Sequence, residues 1–221
     1  MFAGTVPPPR DAIWTWKAVH LFTSAAKPFF CRLAIEGREN IPATGGCVLT
    51  CNHTMGPDFL VIGYLSPRQI HFMVKAEIMD KYRRLGQFLA YNGCFPIRRG
   101  DGDKEAITHA VDLVKTGHVL GMFPEGTRSK GRGLHVAKTG TARMAIEMNC
   151  PIIPMTVTGS DQFFKKFPRR SNVTVKLLPS ILPNPRDTPL SLTDRLMFTL
   201  AAGLPESMRG VYAEVPKGFG D

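Results

Sequence analysis

The sequence predicts a single α/β domain, with a mixed, mostly parallel central sheet flanked by helices and preceded by an N-terminal amphipathic helix. Short apolar segments alternate with stretches of helical periodicity, which is typical of a parallel sheet with crossover helices. The 221 residues, of which 43% are apolar, suit one domain with a full core. Charged residues make up 21% of the chain, as in an ordinary globular protein.

The chain is predicted to divide into an N-terminal arm and helix at 1–30 and an α/β domain at 31–221. Residues 1–9 carry three consecutive prolines and are expected to form a loose arm. Asp11 is predicted to cap the helix that follows, and Pro28 is predicted to kink or end that helix.

The N-terminal helix is predicted to be amphipathic, because its apolar residues recur with the helical period. Its apolar face comprises Trp14, Ala18, Leu21, Phe22, Ala25 and Phe29, and its polar face comprises Lys17, His20, Ser24 and Lys27. Two interpretations stay open. The helix packs on the domain, or it lies in a membrane interface with its aromatic residues in the lipid and its lysines at the headgroups.

The remaining elements alternate along the chain. Apolar runs predict strands at 32–36, 47–51, 69–74, 118–123, 152–157 and 173–178. Helical patterns predict helices at 59–65, 104–115, 139–148 and 192–204, and Pro57 suits the first turn of the first of these. Residues 182–190 hold three prolines and are predicted to be a linker.

The net charge limits the classes of binding partner that are expected. Lysine and arginine number 28 against 18 acidic residues, a formal excess of +10 that favours nucleic acid, anionic lipid or phosphorylated substrates. The sequence carries no zinc-finger spacing and no aromatic-rich RNA-binding signature, so nucleic acid is not an expected partner. A non-catalytic binder of anionic lipid or nucleic acid stays open as an alternative of a different class.

Cysteine usage and hydropathy predict the compartment. The five cysteines form no Cys-x-x-Cys pair, which fits reduced thiols in a cytosolic protein. No apolar run approaches the ~18 residues of a transmembrane helix, and the N-terminus lacks a signal-peptide layout. We therefore expect a cytosolic protein that is soluble or peripheral to a membrane and has no transmembrane helix.

His53 and Asp58 are the strongest candidates for catalysis. His53 follows a predicted strand and Asp58 opens the next helix, and the loop after a strand is where ligands bind in α/β sheets. Their spacing lets the carboxylate reach one ring nitrogen while the other takes a proton from a substrate hydroxyl. Without further support, both residues could equally cap local structure.

A second loop offers an anion site. In the run Glu125-Gly126-Thr127-Arg128, the glycine allows close approach to a ligand and the guanidinium can grip phosphate in a bidentate manner. Glu125 is expected to hold this loop or to orient Arg128. Further positive charges come from Arg98 and Arg99, of which one is expected to point inward, and from Lys75 at the end of a predicted strand.

Four blocks in this order resemble the glycerolipid acyltransferase family, and most closely its 1-acyl-glycerol-3-phosphate (lysophosphatidic acid) acyltransferases. Asn52 through Asp58 resembles the His-x4-Asp motif, and Gly93 through Arg99 resembles an apolar run that ends in arginine. Phe123 through Ser129 resembles the Phe-Pro-Glu-Gly-Thr-Arg-Ser motif. Cys150 through Pro154 resembles a short strand bracketed by proline.

The resemblance implies a role for each site residue. His53 is the general base on the acceptor hydroxyl, and Asp58 orients it. Arg128, Gly126, Glu125 and Thr127 belong to the phosphate site, joined by Arg99 or Arg98 and by Lys75. The implied co-substrate is acyl-CoA or acyl-carrier protein, and neither a metal nor another cofactor is expected. The implied acceptor is a lysophospholipid on an anionic membrane surface, so the protein is expected to be peripheral on the cytoplasmic side of the membrane, without a transmembrane helix.

One departure from the family bears on the acceptor. The family usually has serine where this chain has Met55, and the pair Gly56-Pro57 is also unusual. Glycerol-3-phosphate or another lyso-phospholipid therefore stays open as the acceptor. A covalent route through Cys51 is a further alternative, although adjacent strand residues point to opposite faces and Cys51 is thus poorly placed to use His53.

Overall fold

The computed structural model describes residues 11–54, 56–98, 103–129, 131–163, 165 and 168–216. The predicted arm at 1–9 lies outside the described residues. The helices are α1 Trp14–Phe30, α2 Asp58–Leu65, α3 Ala76–Lys81, α4 Arg83–Tyr91, α5 Lys104–Lys115, α6 Gly140–Met148 and α7 Pro189–Gly203. The strands are β1 Cys31–Glu36, β2 Cys47–Cys51, β3 Ile70–Lys75, β4 Phe95–Ile97, β5 Val119–Met122, β6 Ile152–Thr158 and β7 Ser171–Leu177.

The described residues form a seven-stranded sheet in the order β1-β7-β6-β2-β5-β3-β4. Strands β6, β2, β5, β3 and β4 are parallel to one another, whereas β7 pairs antiparallel with β6 and parallel with β1. The mixed, mostly parallel sheet predicted from the sequence is confirmed. The carboxyl ends of the five parallel strands meet at one edge, where ligands bind in such sheets.

Two apolar layers enclose the sheet. In β2, Leu49 contributes to the layer beneath α1 and α2, and Val48 contributes to the layer beneath α5, α6 and α7. This alternation follows from the strand period of two, and both side chains are buried, as expected for a parallel sheet covered on both faces. The central strands are thereby fixed, and the loops at their carboxyl ends are held in place.

The prediction that Asp11 caps α1 is wrong. The residue before the first helical turn is Ile13, and it makes no side-chain cap. The carboxylate of Asp11 instead accepts the backbone N–H of Gln69 at 3.1 Å and lies 3.7 Å from Nε of the buried Arg68. The carboxylate of Asp11 thus binds Gln69 and Arg68 and does not cap α1.

Helix α1 rests on the domain through a mixed face that includes Trp16 and His20. His20 is buried, its Nε2 lies 3.1 Å from the carbonyl of Tyr64, and the two rings stack with centroids 4.8 Å apart. The apolar face is exposed: Trp14, Leu21, Phe22 and Phe29 keep 67–74% of their surface. Pro28 lies inside the helix, which ends two residues later.

Three elements were not predicted from the sequence: α3, α4 and the edge strand β4. Helices α3 and α4 follow each other with only Tyr82 between them, and β4 adds three residues to the edge beside β3. Each predicted strand and helix is present, with ends shifted by up to three residues. Within the described part of the chain, no helix combines the length and the apolarity that crossing a membrane requires.

Candidate active site

Segments that follow three neighbouring strands meet at the carboxyl edge of the sheet. His53 lies just beyond β2, Glu125 just beyond β5, and Ser160 just beyond β6. Asn52 ties the end of β2 to β6, since its amide donates to the carbonyl of Val157 at 2.9 Å and accepts the N–H of Val157 at 2.8 Å. The three loops thus start from a rigid base.

His53 and Asp58 form the predicted pair. Nδ1 of His53 lies 3.0 Å from Oδ2 of Asp58, and this carboxylate is fully buried while the imidazole keeps 21% of its surface. Because an ionised carboxylate can only accept, Nδ1 carries the proton of this hydrogen bond. Nε2 is then the nitrogen that can take a proton from another molecule.

Asp58 is held by more than the imidazole. From the described residues its oxygens also accept the backbone N–H of Thr54 at 2.8 Å, the hydroxyl of Thr54 at 2.6 Å and the hydroxyl of Ser160 at 2.7 Å. A buried charge is tolerable only when it is paired and hydrogen-bonded. These donors therefore fix the direction of the carboxylate. Neither Thr54 nor Ser160 was predicted from the sequence to hold Asp58.

Glu125 holds two loops in place rather than gripping Arg128. One carboxylate oxygen accepts the N–H of His53 at 2.9 Å, and the other accepts the N–H of His135 at 2.9 Å. Burial raises the pKa of Glu125 above 4.5, and the two backbone donors oppose this rise. Of the two roles expected for this residue, the structure assigns the role of holding the loop.

The loop after β5 wraps around His53. Its turn is closed by the N–H of Gly126, which donates to the carbonyl of Phe123 at 2.9 Å, and Gly126 has a left-handed φ of 63° that favours glycine. The N–H of Ser129 then donates to the carbonyl of His53 at 2.7 Å. Thr127 and Arg128, between these anchors, are exposed at the surface beside His53.

The other predicted cations lie farther along the same edge. Lys75 ends β3 and pairs in register with Ile97, the last residue of β4, so Arg98 lies just beyond the end of that neighbouring strand. Both are exposed. Strands β3 and β4 stand two and three positions from β2, roughly 10–14 Å at the usual strand spacing. Arg99 lies outside the described residues.

Two aromatic rings link the imidazole to an apolar groove. The ring of His53 stacks on Phe123 with centroids 4.1 Å apart, and Phe123 lies 6.4 Å from Phe72. Phe72 lines a groove between α1, α2 and α4, whose walls include Trp16, Val19, Leu60, Phe88 and Leu89. His53 is thus connected to the apolar groove through Phe123 and Phe72.

Cys51 is a poor nucleophile in this structure. Its side chain is buried in the core beneath α1 and α2. Burial raises the pKa of the Cys51 thiol well above 9.0, and the charges of Asp58 and Glu125 raise it further. A thiol that stays protonated cannot attack, so the geometry opposes the covalent alternative.

The unusual Gly56 has a steric cause. A Cβ added there would lie 2.3 Å from the carbonyl carbon and oxygen of Ser160 and 2.8 Å from the N–H nitrogen of Asp161. The loop from His53 to Asp58 therefore passes directly against the segment after β6. Glycine at position 56, which departs from the family pattern, leaves room for this close approach.

The sequence profile of a family described as "Acyltransferase" matches residues 32–158, more than half of the chain. This chain belongs to the acyltransferase family. The matched segment of this acyltransferase contains the His53–Asp58 pair and the loop at 123–129, and it ends before Ser160.

Named relatives agree with this assignment. The 1-acyl-sn-glycerol-3-phosphate acyltransferase of Bacillus subtilis is 31% identical over 136 residues, which cover 60% of this chain and 67% of that protein. The Escherichia coli enzyme of the same name is 29% identical over 167 residues, 73% of this chain and 67% of that protein. The match covers a smaller share of some other relatives, such as 54% of the enzyme of the same name from Borreliella burgdorferi.

A solved structure shares the fold. The crystal structure of the 1-acyl-sn-glycerophosphate acyltransferase PlsC from Thermotoga maritima matches with a TM-score of 0.70, covering 85% of this chain and 78% of that one. The two sequences are 20% identical, so the match establishes the architecture of this acyltransferase and not its substrates.

Proposed function

We propose that this acyltransferase moves a fatty acyl group from an acyl thioester to the free hydroxyl of 1-acyl-glycerol-3-phosphate, which yields phosphatidic acid. The observation that carries the proposal is the His53–Asp58 pair, enclosed by the loop that bears Arg128, in a chain of the acyltransferase family. The names of the relatives support this choice of acceptor.

The chemical step uses Nε2 of His53 as a general base. It takes the proton of the acceptor hydroxyl while the oxygen attacks the thioester carbonyl. The tetrahedral intermediate then expels the thiolate, which takes up the proton from the imidazolium. Asp58 holds the ring in the required tautomer and stabilises its positive charge during this step. No metal or further cofactor enters the proposal.

The acceptor phosphate is assigned to the exposed loop beside His53. Arg128 can bind phosphate through two parallel hydrogen bonds, and Thr127 and the backbone of Gly126 lie in the same turn. Arg98, Arg99 and Lys75 are proposed as further positive charges along the edge. At roughly 10–14 Å from β2, the strands of Arg98 and Lys75 are suited to a group remote from the reacting hydroxyl, whether on the acceptor or on the donor.

The acyl chain is assigned to the apolar groove. Phe72 lines the groove and is linked to His53 through Phe123, and the walls of the groove are almost wholly apolar. Burying a methylene group there stabilises binding by about 0.8 kcal/mol. The proposed donor is acyl-CoA or acyl-carrier protein.

The acceptor resides in a bilayer, so the enzyme must reach one. We propose that it does so as a peripheral protein on the cytoplasmic side, with the exposed face of α1 in the lipid. Four large side chains, Trp14, Leu21, Phe22 and Phe29, are exposed on this one face. An amphipathic helix with such a face lies in the membrane interface.

A screen of acceptors tests the proposal. Purified enzyme receives labelled acyl-CoA or acyl-carrier protein and, in separate reactions, 1-acyl-glycerol-3-phosphate, glycerol-3-phosphate or lysophosphatidylcholine. Mass spectrometry should find phosphatidic acid as the main product with wild-type enzyme, and about 10²–10⁴-fold less of it with His53→Ala. The matched control is His118→Ala, an exposed histidine at the opposite edge of the sheet, which should retain activity. Equal rates for wild type and His53→Ala would refute the proposal.

A further inference from the structure

The surface of α3 and α4 carries a second row of exposed apolar side chains. Its members are Ile78, Tyr82, Leu85, Phe88 and Tyr91, each with 40–64% of its surface exposed. Leu85, Phe88 and Tyr91 recur every three residues on neighbouring turns of α4, whereas Ile78 lies on α3 and Tyr82 at the junction of the two helices. Soluble proteins rarely leave so large an apolar patch uncovered without an interaction to serve.

Basic side chains border this row. Lys81, Arg83 and Arg84 are exposed, and Lys75 precedes α3. Glu77 and Asp80 also lie on α3, so the segment keeps a positive excess within a chain of net charge +10. Tyrosine beside lysine and arginine is the composition found at the level of lipid headgroups.

We propose that the α3–α4 face, defined as Ile78, Tyr82, Leu85, Phe88 and Tyr91 with its basic border, is a second membrane contact that binds a bilayer containing anionic lipid. This inference rests on the proposed function, since only a lipid acceptor requires a bilayer. It goes beyond α1 because it assigns membrane binding to a separate pair of helices.

The groove lies between the exposed face of α1 and the α3–α4 face. Trp16 and Val19 of α1 line one side of the groove, and Phe88 and Leu89 of α4 line the other. Leu60 of α2 lies between them and is itself 39% exposed. With both rims in the interface, a lipid chain passes from the bilayer into the groove without crossing water, where each exposed methylene costs about 0.8 kcal/mol.

Vesicle binding tests the α3–α4 face. The variant Tyr82→Ser/Leu85→Ser/Tyr91→Ser removes apolar surface outside the groove lining. The control Leu182→Ser/Leu190→Ser/Val211→Ser removes similarly exposed apolar residues elsewhere. We expect the first to lower partitioning onto phosphatidylcholine–phosphatidylglycerol vesicles about tenfold or more, and the control to bind as wild type does.

A charge variant separates the electrostatic part. Lys81→Gln/Arg83→Gln/Arg84→Gln should lose most of the preference for phosphatidylglycerol vesicles over pure phosphatidylcholine, because each basic residue near an anionic surface strengthens binding about fivefold. Circular dichroism should show folded protein for all variants. Unchanged partitioning of the Tyr82/Leu85/Tyr91 variant, or an equal loss in the control, would overturn the proposal.

Activity on two forms of acceptor separates this failure from failure of the proposed function. The Tyr82/Leu85/Tyr91 variant should turn over a short-chain, water-dispersed 1-acyl-glycerol-3-phosphate at the wild-type rate and the vesicle-bound form more slowly. Wild-type enzyme that acylates neither form would refute the proposed function. Wild-type enzyme that acylates both, with vesicle binding insensitive to these substitutions, would refute only the role of the α3–α4 face.

The geometry also points to Ser160 as a positioning residue for the reaction. It is fully buried, and it lies two residues beyond the segment that the family profile matches. Its hydroxyl donates to Oδ1 of Asp58 at 2.7 Å and lies 2.8 Å from the hydroxyl of Thr54, which donates to the same oxygen. The segment after β6 thus fixes the carboxylate that orients His53.

A double-mutant cycle tests this role. Hydrogen bonds to charged groups are strong enough that Ser160→Ala should lower kcat about tenfold or more with KM unchanged. In an Asp58→Asn background the same substitution should lower kcat less than about twofold, because the group through which Ser160 acts is gone. Ser160→Cys, which keeps the size and a weak donor, should restore part of kcat.

Ser171→Ala is the matched control. Ser171 is equally buried, but it donates to the carbonyl of Phe30, away from Asp58, so its loss should leave kcat unchanged. Thermal unfolding of each variant measures any general loss of stability. The positioning role would be refuted if Ser160→Ala lowered kcat equally in the wild-type and Asp58→Asn enzymes. It would also be refuted if Ser160→Ala left kcat unchanged in the wild-type enzyme.

Discussion

Replacing Gly56 by alanine is the sharpest perturbation of the site, because it adds a single methyl group at a place without room. The added Cβ would lie 2.3 Å from the carbonyl carbon and oxygen of Ser160, where ordinary contact begins at 3.4 Å, so the two segments must separate by about 1 Å. Both neighbouring atoms belong to the backbone and cannot rotate away. The separation must therefore move either the 53–58 loop or the segment after β6.

Two effects of known size follow from this displacement. Overpacking of this kind lowers the free energy of unfolding by about 1–3 kcal/mol. Misplacement of a catalytic constellation by about 1 Å can cost 10²-fold in rate. Since Thr54 and Ser160 lie on the two sides of the clash and both donate to Asp58, we expect Gly56→Ala to lower kcat by about 10²-fold.

The assay pairs acyl transfer with urea unfolding, and the control is Gly203→Ala. At Gly203 an added Cβ meets the Cδ1 of Leu178 at 2.9 Å and the Cγ2 of Thr156 at 3.1 Å, which are ends of side chains, at the last residue of α7. Gly203→Ala should keep kcat and lose little stability. A Gly56→Ala enzyme with wild-type kcat and wild-type stability would show that the loop does not depend on this close approach.

Three further outcomes follow from the same geometry. Asp58→Asn should lower kcat about 10²–10⁴-fold in the acyl-transfer assay, since an amide supports the wrong imidazole tautomer. Cys51→Ala should leave kcat unchanged and lower the free energy of unfolding by about 1 kcal/mol, and inactive but folded protein would revive the covalent route. Burial lowers the pKa of His20 and His71 below 6.5, so the unfolded chain takes up protons first and the free energy of unfolding falls as pH drops below 6.5. Urea unfolding across that range should show a shallower fall for His20→Gln/His71→Gln, and an identical slope would contradict the assignment.

The sequence predicted those parts of the fold whose signals are local. Helix α5 has a strong helical period and Asp103 as a side-chain cap, and its predicted bounds agree with the structure. Helices α3 and α4 have neither advantage, because they are short, lack side-chain caps and join at Tyr82. Helix α3 packs on β3 and α4 packs on α3, and a propensity-based prediction does not see such tertiary contacts.

Helical periodicity distinguished the apolar from the polar face of α1 but did not predict which side chains contact the domain. The wheel placed His20 among polar residues, yet His20 is the side chain that the domain buries. The carbonyl of Tyr64 and its ring supply partners for the imidazole. Hydropathy gives the contrast between faces, whereas which face docks depends on a specific partner 44 residues away.

The candidate site could be predicted where spacing alone brings groups together. His53 and Asp58 are five residues apart, and the turn into α2 makes their contact. The contact of His53 with Glu125 spans 72 residues and follows from the adjacency of β2 and β5. Ser160 is a single serine without a motif. Its position just after the predicted strand at 152–157 was the one available signal, because β6 lies beside β2.

The buried carboxylate of Glu125 joins segments that are distant in sequence, because it accepts the N–H groups of both His53 and His135. In Glu125→Gln the amide keeps one acceptor and turns an NH2 group toward either the N–H of His53 or that of His135, which leaves a donor facing a donor at a cost of about 1–3 kcal/mol. Burial raises the pKa of Glu125 above 4.5, so in the wild type its contribution to stability falls as pH rises from 4.5 through the folded value. The glutamine variant lacks this component. Urea unfolding from acid to neutral pH should therefore show a different dependence of the free energy of unfolding on pH for the two proteins. Parallel curves would contradict the raised pKa of Glu125. Because the misplaced donor lies beside His53, kcat should fall in the variant as well, and a variant with lower stability but full kcat would separate the loop from the chemistry.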